Sequence, residues 1–390
     1  MSPDQLLSYL ALLVVTGVLL FWIAEWRVSR RPGVRAMCLA LLGLQVGMTL
    51  GVPPVRAFLA GLVPLPAAAH LLQHSVVLWG AYHLAAFARY LVIPQDHQVP
   101  PTLRRRRILL LVSLAALLVC YVLGPLPARM ELIEPHRATV PFVGVYLGVF
   151  ATYLGVALLD VALAARHARR LTDPGLRWGL WLLGTGALSG VLYVLHKVGY
   201  AALTAAGLRP PWPEYGPRGV AGYLVPTAVL LMMAGSLLPP LCRRWELYRL
   251  CRRLDPLWQA LTKQAPELRF HQWHPLLRPV SRQLRQRVTE IRDVLAGPLE
   301  RYLDPAVAAE ARRQAAAQGQ DSAQQRVAAA AAVIAAALAA HRSGRPAVDP
   351  DPTLVTDPEA TTYVAEARWL ADVADAWRRL PSSSASSPTP

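Results

Sequence analysis

The stretch VAGYLVPTAVLLMMAGSLLPPLCRR, residues 220–244, is the strongest single indication of the class of fold. Residues 220–241 carry no charge. At 1.5 Å per residue, a helix over them reaches about 33 Å, enough to cross the roughly 30 Å hydrocarbon core of a membrane. The run ends at Arg243 and Arg244, whose charges favour water. The stretch therefore predicts a membrane-spanning helix followed by the start of a water-soluble segment.

Six more apolar runs of this kind precede the one quoted. The same length criterion predicts seven spans, at 6–24, 36–52, 65–87, 108–124, 142–164, 178–202 and 220–241. The chain is 54% hydrophobic and only 16% charged, with a mean hydropathy of +0.32, which excludes an ordinary soluble protein. We predict an all-α fold, with a seven-helix integral membrane bundle over residues 1–241.

The basic residues alternate between the connections of the predicted spans. Connections one, three and five contain Arg27, Arg30, Arg31, Arg35, Arg89, Arg104, Arg105, Arg106, Arg107, Arg166, Arg169, Arg170 and Arg177. Connections two, four and six contain Arg56, Arg129, Arg137, Arg209 and Arg218. Cytoplasmic loops collect Lys and Arg, so we predict a multi-pass protein of the cell membrane with its N-terminus outside and its tail in the cytoplasm.

Residues 242–380 are predicted to form a small cytosolic helical domain. Asp–Pro pairs at 255–256, 304–305 and 357–358 are typical helix starts, because Asp caps a first turn and Pro loses no needed donor there. The predicted helices are 244–254, 256–264, 279–301, 305–318, 322–342 and 358–379. The Ala-rich run 328–340 is too short and too weakly apolar for an eighth span and predicts a buried helix instead.

The last ten residues and the charge of the tail complete this picture. Residues 381–390, PSSSASSPTP, can bury nothing, so we predict a disordered tail. The net charge of +16 first suggests nucleic acid. Residues 242–292 nevertheless follow a membrane span, and no DNA-reading or RNA-binding motif accompanies them. Their basic excess predicts attraction to the anionic inner leaflet of the lipid bilayer, with no nucleic acid partner.

Polar residues on two predicted spans form a candidate outer pocket. His70, Gln73 and His74 share one helical face at i, i+3 and i+4, and His196 and Lys197 lie at similar depth on another span. Ionisable groups inside a membrane are costly and mark functional candidates. Three interpretations stay open: hydrated side chains near the outer interface, a polar transport or ligand pocket, and a metal or haem site. Since no third ligand of matching depth accompanies the histidines, we predict no metal and no cofactor.

Other residues in or beside the spans favour structural roles. Glu25 and Asp160 lie near cytoplasmic ends, where pairing with Arg27 or Arg166 is the expected role and a proton relay the alternative. Small residues recur at four-residue spacing, which predicts close packing of helices within the chain, with dimerisation as the alternative. These glycines are Gly43, Gly47, Gly51, Gly144, Gly148, Gly186 and Gly190. No acid pair, nucleophile elbow or HExxH motif is present, so we predict no enzyme.

The tail carries sequence motifs of a known kind. LDPLWQALTKQAPEL at 254–268, RQRVTEIRDVL at 285–295, RYLDP at 301–305 and AEARWLADVADAWRRL at 365–380 are the motifs concerned. With them, the chain resembles a family of actinobacterial membrane proteins with seven predicted spans and a C-terminal cytosolic domain of unassigned function. That family is described as transporters on its multi-span character, without an established substrate.

The resemblance implies roles for the residues that match the tail motif. They are Leu257, Trp258, Glu290, Ile291, Arg292 and Asp293. A structural role is expected for this set. Glu290, Arg292 and Asp293 are expected to form either a surface ion network or a docking site for a cytosolic partner.

We predict a small-solute transporter, with a membrane receptor or signalling scaffold as the alternative. A small-solute transporter is favoured by the family description and the outer polar residues. A seven-helix receptor or signalling scaffold, whose helical tail binds a cytosolic protein, is favoured by the long tail without catalytic motifs. The odd number of spans and the absence of a visible inverted repeat count against the transporter.

Overall fold

The computed structural model describes residues 3–62, 68–92, 101–123, 143–208, 210, 212, 219–268, 279–357 and 359–380. These residues are mostly helical and contain no strand, which confirms the all-α prediction. The chain divides into two compact units, Met1–Pro240 and Leu241–Pro390. The predicted disordered tail, 381–390, lies outside the described residues.

Eight helices of the described residues begin within the first unit, and seven of them follow the predicted spans in order. They are α1 Pro3–Ser29, α2 Pro32–Gly51, α3 Pro53–Leu62, α4 Ala68–Val92, α5 Pro101–Leu123, α6 Val143–Ala164, α7 Pro174–Ala205 and α8 Val220–Thr262. The exception is α3, so the predicted count of seven helices is wrong. Pro53 and Pro54 are loop signals in the sequence, but they lie in the first turn of α3, where a proline costs no backbone hydrogen bond.

Apolar side chains fill the space between the helices of the first unit. Trp22 of α1 packs edge-on against Phe87 of α4, with ring centroids 5.5 Å apart. Leu78, Leu117 and Tyr146, from α4, α5 and α6, are almost completely buried in a second cluster. Side chains of three neighbouring helices therefore share one apolar cluster.

Glycines bring two pairs of helices into backbone contact. A Cβ placed on Gly43 of α2 would lie 2.7 Å from the Cα of Gly80 in α4. One on Gly186 of α7 would lie 2.8 Å from the backbone N of Met232 in α8. Both distances are too short for real atoms, which confirms packing within the chain at these positions. At Gly148 an added Cβ meets nothing within 4 Å, so the packing prediction is wrong there.

The second unit has its own helical core. Beyond the end of α8 its described residues contain α9 Val280–Leu295, α10 Pro305–Ala317, α11 Ser322–Ser343 and α12 Tyr363–Arg379. Completely buried side chains from these helices and from the last part of α8 include Leu254, Leu257, Leu261, Leu284, Ile291, Val333, Ile334 and Val373. The unit therefore buries an apolar interior of its own.

Three predicted helix boundaries in the tail are wrong. The helix predicted over 279–301 ends as α9 at Leu295. Helices 244–254 and 256–264 form one element with span seven, because α8 continues through Asp255 and Pro256. An interior proline costs about 3 kcal/mol, but fully buried Leu254, Leu257 and Leu261 contribute about 1.5–3 kcal/mol each when their face stays helical. The helix predicted from 358 begins at Tyr363, where the Thr362 hydroxyl accepts a hydrogen bond from the Ala365 amide at 3.2 Å.

Eight helices of the described residues are long and apolar enough to cross a membrane. The chain is a membrane protein by the length and composition of these helices. Seven of them follow the predicted spans, and the eighth is α11, so the argument that this segment is too short and too weakly apolar is wrong. The structure places Ala330, Val333, Ile334 and Ala337 of α11 inside the core of the second unit, as expected for a buried helix.

Candidate functional site

The polar face of α4 is divided between two neighbouring helices. His74 shares a hydrogen bond with the Tyr146 hydroxyl of α6, with 2.9 Å between Nδ1 and Oη, and its ring lies 4.4 Å from that of Phe150. Gln73 turns toward α2, because a Cβ on Gly51 would lie 3.2 Å from its side-chain nitrogen. His70, one turn before His74, is buried. No sequence signal points to Tyr146, since only the packing of α6 against α4 brings it to the histidine.

The polar pair on α7 is partly buried. His196 lies beside Tyr200 and Trp212, with ring centroids 6.1 and 6.5 Å away. The His74–Tyr146 pair between α4 and α6 can offer an imidazole and a phenol to a small polar ligand.

No group of three or more His, Cys, Asp or Glu side chains within the described part of the chain could hold a metal ion. His74 contacts the phenol of Tyr146 and the ring of Phe150. For the polar residues of α4 and α7, hydrated side chains, a ligand pocket and a metal site all stay open as interpretations.

At the other end of α6, Asp160 is held by arginines that the sequence does not indicate. Arg106 of α5 binds both carboxylate oxygens, at 2.7 Å to Oδ2 and 2.8 Å to Oδ1, and Arg89 of α4 lies 3.5 Å from Oδ1. The predicted partner, Arg166, is close in sequence, but antiparallel packing of α5 on α6 brings Arg106 level with Asp160. Because Asp160 is buried, these partners offset the cost of desolvating its charge. The pairing predicted for Glu25 stays a prediction.

A groove runs between α5 and α6 from this cluster, with a volume of about 490 Å³. Its wall is mostly apolar, with Arg106 at one end and Ser113, Thr152 and Tyr153 as further polar side chains. Gly148 lies in the wall opposite α5. No motif indicates this groove, because it depends on which faces of two distant segments meet.

The tail motif residues join α8 to α9 in the core of the second unit. The Trp258 indole donates to Glu290 Oε2 at 2.5 Å, and the Gln286 amide donates to Oε1 at 2.8 Å. Leu257 and Ile291 are completely buried beside them. These contacts agree with the structural role expected for these residues, which stays a prediction.

The surface ion network predicted for Glu290, Arg292 and Asp293 is wrong for Glu290. This carboxylate is completely buried. There it accepts the hydrogen bond that the buried indole N–H of Trp258 needs. Arg292 pairs instead with Glu366 of α12, and Asp293 is exposed. A docking role for Arg292 and Asp293 stays a prediction.

A second set of ion pairs, which the sequence does not indicate, joins α8 to α12. Arg253 donates to Asp372 at 2.6 Å and to Asp375 at 2.6 Å, and Arg368 donates to Glu246 at 2.5 Å. Burial raises the pKa of the Asp375 carboxyl, but its hydrogen bonds with Arg253 and Arg378 more than offset this and leave the pKa below its ordinary value. These pairs fix one face of α12 to the last turns of α8.

The comparisons with known proteins concern the tail. Residues 243–379, a little over a third of the chain, match the model of a family described as "Family of unknown function (DUF6545)". No curated protein and no solved structure matches the chain. The prediction of a tail with unassigned function is thereby confirmed, whereas the actinobacterial transporter family stays a prediction. The chain joins a bundle of long apolar helices to a domain of unknown function.

Proposed function

We propose that the protein is a membrane receptor or signalling scaffold without enzymatic activity. The observation that carries this proposal is the continuity of α8, which supplies buried residues to both units. Ala228 and Met233 are buried in the first unit, and Leu254 and Leu257 are buried in the second. One chain thus contains a unit of long apolar helices and a second unit with a core of its own, as a receptor whose tail binds a cytosolic protein requires.

The tail itself supports a role in protein binding. It has a core of its own, and ion pairs such as Arg253 with Asp375 hold its helices together at the surface. We propose that this unit lies in the cytoplasm of a cell whose membrane contains the seven spans with their N-terminus outside. Its partner is a cytosolic protein rather than a nucleic acid.

A lipid partner belongs to the same proposal. Leu241, Trp245 and Tyr248 recur along one face of α8 and are 48%, 62% and 44% exposed, and the two aromatic rings stack at 5.8 Å. Aromatic rings favour the membrane interface, and Arg243 and Arg244 directly precede Trp245 in sequence. This pattern supports contact of the basic segment 242–292 with the anionic inner leaflet.

The receptor proposal is tested with the full chain and a chain that ends at Arg244. Both are expressed in membranes, solubilised and used to capture proteins from the host cytosol. We expect the full chain to recover one specific protein that the shortened chain loses, and we expect neither chain to move a panel of small solutes in proteoliposomes. A solute that moves equally well with both chains would overturn the proposal.

A small-solute transporter is the second candidate, favoured by the His74–Tyr146 pair between α4 and α6. The resemblance of the tail motifs to actinobacterial transporters also supports it. If this candidate is correct, Tyr146→Phe lowers the flux of the transported solute, because the phenol no longer orients His74. Tyr121→Phe, on α5, removes a phenol outside the pair and serves as the matched control. Equal flux in wild type and Tyr146→Phe would exclude this pair as the transport site.

A further inference from the structure

We infer that the groove between α5 and α6 binds a bilayer phospholipid with an anionic headgroup. One acyl chain lies along the apolar wall, and the headgroup phosphate meets Arg106. This site goes beyond the proposed function, since a receptor and a transporter can both contain it. Shape, exposure and charge each support the assignment.

The shape of the groove suits an extended hydrocarbon chain. Along α5 the lining runs from Arg106 to Ala116, and along α6 it runs in the opposite direction from Val156 to Val145. Ten residues of helix correspond to about 15 Å. With a volume of about 490 Å³, the groove is long and narrow rather than a compact pocket for a small polar solute.

Gly148 is the residue that leaves the groove open. Most interior glycines of the bundle contact another helix, but an added Cβ at Gly148 would meet no atom within 4 Å. A glycine within a helix costs about 1 kcal/mol relative to alanine. Helix packing does not account for its presence here, and unlike Gly199 it lies in the wall of the groove.

Exposure of the groove wall identifies the occupant as a lipid. Leu109 and Val112 of α5 are 46% and 60% exposed, and Val145 of α6 is 59% exposed. They belong to helices long and apolar enough to cross a membrane. On the outer surface of such helices the surrounding molecules are lipids, and their acyl chains are the natural partner of an apolar wall.

Charge at one end of the groove selects an anionic headgroup. Arg106 uses Nε and Nη2 to bind Asp160, so the third guanidinium nitrogen, Nη1, takes no part in that pair. Arg89 shares the same carboxylate, which leaves one net positive charge in the cluster. Arg105 and Arg107 are exposed on the same helix. Guanidinium groups bind phosphate oxygens well, and the Arg106 side chain is 28% exposed.

The first test compares Gly148→Leu with Gly199→Leu in the full-length protein. A Cβ at Gly199, on α7 and outside the groove, also meets nothing within 4 Å, so this variant is a matched control. Thermal unfolding is followed in detergent with added phosphatidylglycerol or phosphatidylcholine. A ligand that binds the folded state raises Tm. We expect phosphatidylglycerol to raise Tm more than phosphatidylcholine does in wild type and in Gly199→Leu, and Gly148→Leu to lose most of that rise.

A second variant isolates the headgroup contact. The double variant Arg106→Gln, Asp160→Asn removes the guanidinium. It also removes the buried carboxylate, which would otherwise be left with Arg89 alone. We expect this double variant to respond equally to the two lipids. Two results would overturn the inference. The first is an equal rise of Tm with both lipids in wild type, which would indicate a neutral annular lipid. The second is an unchanged phosphatidylglycerol effect in Gly148→Leu. Neither result bears on whether the tail binds a cytosolic protein.

Discussion

Glu290 is a carboxylate held in a helical core by two donors. Its two oxygens accept hydrogen bonds from the Trp258 indole and the Gln286 amide, at 2.5 and 2.8 Å. Trp258 also lies under the guanidinium of Arg287, 5.3 Å from the ring centroid. Arg287 in turn pairs with Asp255 at 2.7 Å. The end of α8 and the whole of α9 are therefore joined by polar contacts as well as by leucines.

Replacement of Glu290 tests how much its hydrogen bonds contribute to the contact between α8 and α9. We expect Glu290→Leu to destabilise the tail by about 2–4 kcal/mol, because two donors lose an acceptor in a buried place. Glu290→Gln keeps an acceptor oxygen and should cost about 1 kcal/mol. Hydrogen exchange of α9 amides in the full-length protein measures the loss. Protection of α9 in Glu290→Leu equal to that in wild type would contradict the assigned role.

Asp375 makes the stability of the tail dependent on pH. Burial raises the pKa of its carboxyl, but the hydrogen bonds with Arg253 and Arg378 lower it by more, so the folded protein has the lower pKa. A depressed carboxyl pKa contributes stability above the unfolded value of about 3.9, and that stability is lost as pH falls through the folded pKa. Screening at this partly exposed site limits the contribution to about 1 kcal/mol or less.

We therefore expect Asp375→Asn to be less stable than wild type between about pH 5 and 7, and the difference to shrink as pH falls below about 4. Urea unfolding of the full-length protein at each pH, followed by fluorescence of the tail, measures this difference in stability. Asp349→Asn is the control for removal of a carboxylate elsewhere in the tail. A difference between wild type and Asp375→Asn that grows toward low pH would contradict the sign.

Among the helices, the contact of α7 with α8 depends on backbone approaching backbone. A Cβ on Gly235 would lie 2.5 Å from the backbone N of Leu183 and 2.6 Å from the carbonyl oxygen of Gly179. We expect Gly235→Val to force the helices apart and to cost about 1–3 kcal/mol, whereas Gly199→Val, in open space on α7, should not. Thermal denaturation in detergent compares the two. Equal Tm values for both variants would show that the contact adds little.

How far the sequence predicts the helices depends on whether the signal is local. Apolar runs locate the seven long helices, because length and composition alone decide whether a segment can cross a membrane. The continuation of α8 through Pro256 is not predictable in this way, because burial of Leu257 and Leu261 is a tertiary effect that outweighs the local stop signal. For the same reason the sequence favours Arg166, a near neighbour of Asp160, over its actual partner Arg106.

The candidate site is predictable only in part. The i, i+3, i+4 spacing identifies the polar face of α4, but the partners of that face depend on its neighbours. Tyr146 for His74 and Gly51 for Gln73 both come from other helices. The groove between α5 and α6 is not predictable, because it exists only where two exposed apolar faces meet around Gly148.

Over the full length of the chain, the distribution of arginines predicts the orientation in the membrane. A reporter fused after Arg243 is expected to be active in the cytoplasm, because the odd connections contain most of the arginines. A reporter fused to the N-terminus should be active only on the outside and serves as the opposite control. A signal outside the cell from the fusion at Arg243 would overturn the proposed topology.

The eighth apolar helix, α11, sets a requirement on how the chain is made. Its buried side is covered by α10, which is synthesised before it, and by α12, which follows. Until Arg379 has left the ribosome, α11 is a segment that membrane-insertion machinery can accept as a further span. We therefore expect the packing of α12 against α11 to compete with insertion of α11 as a further span.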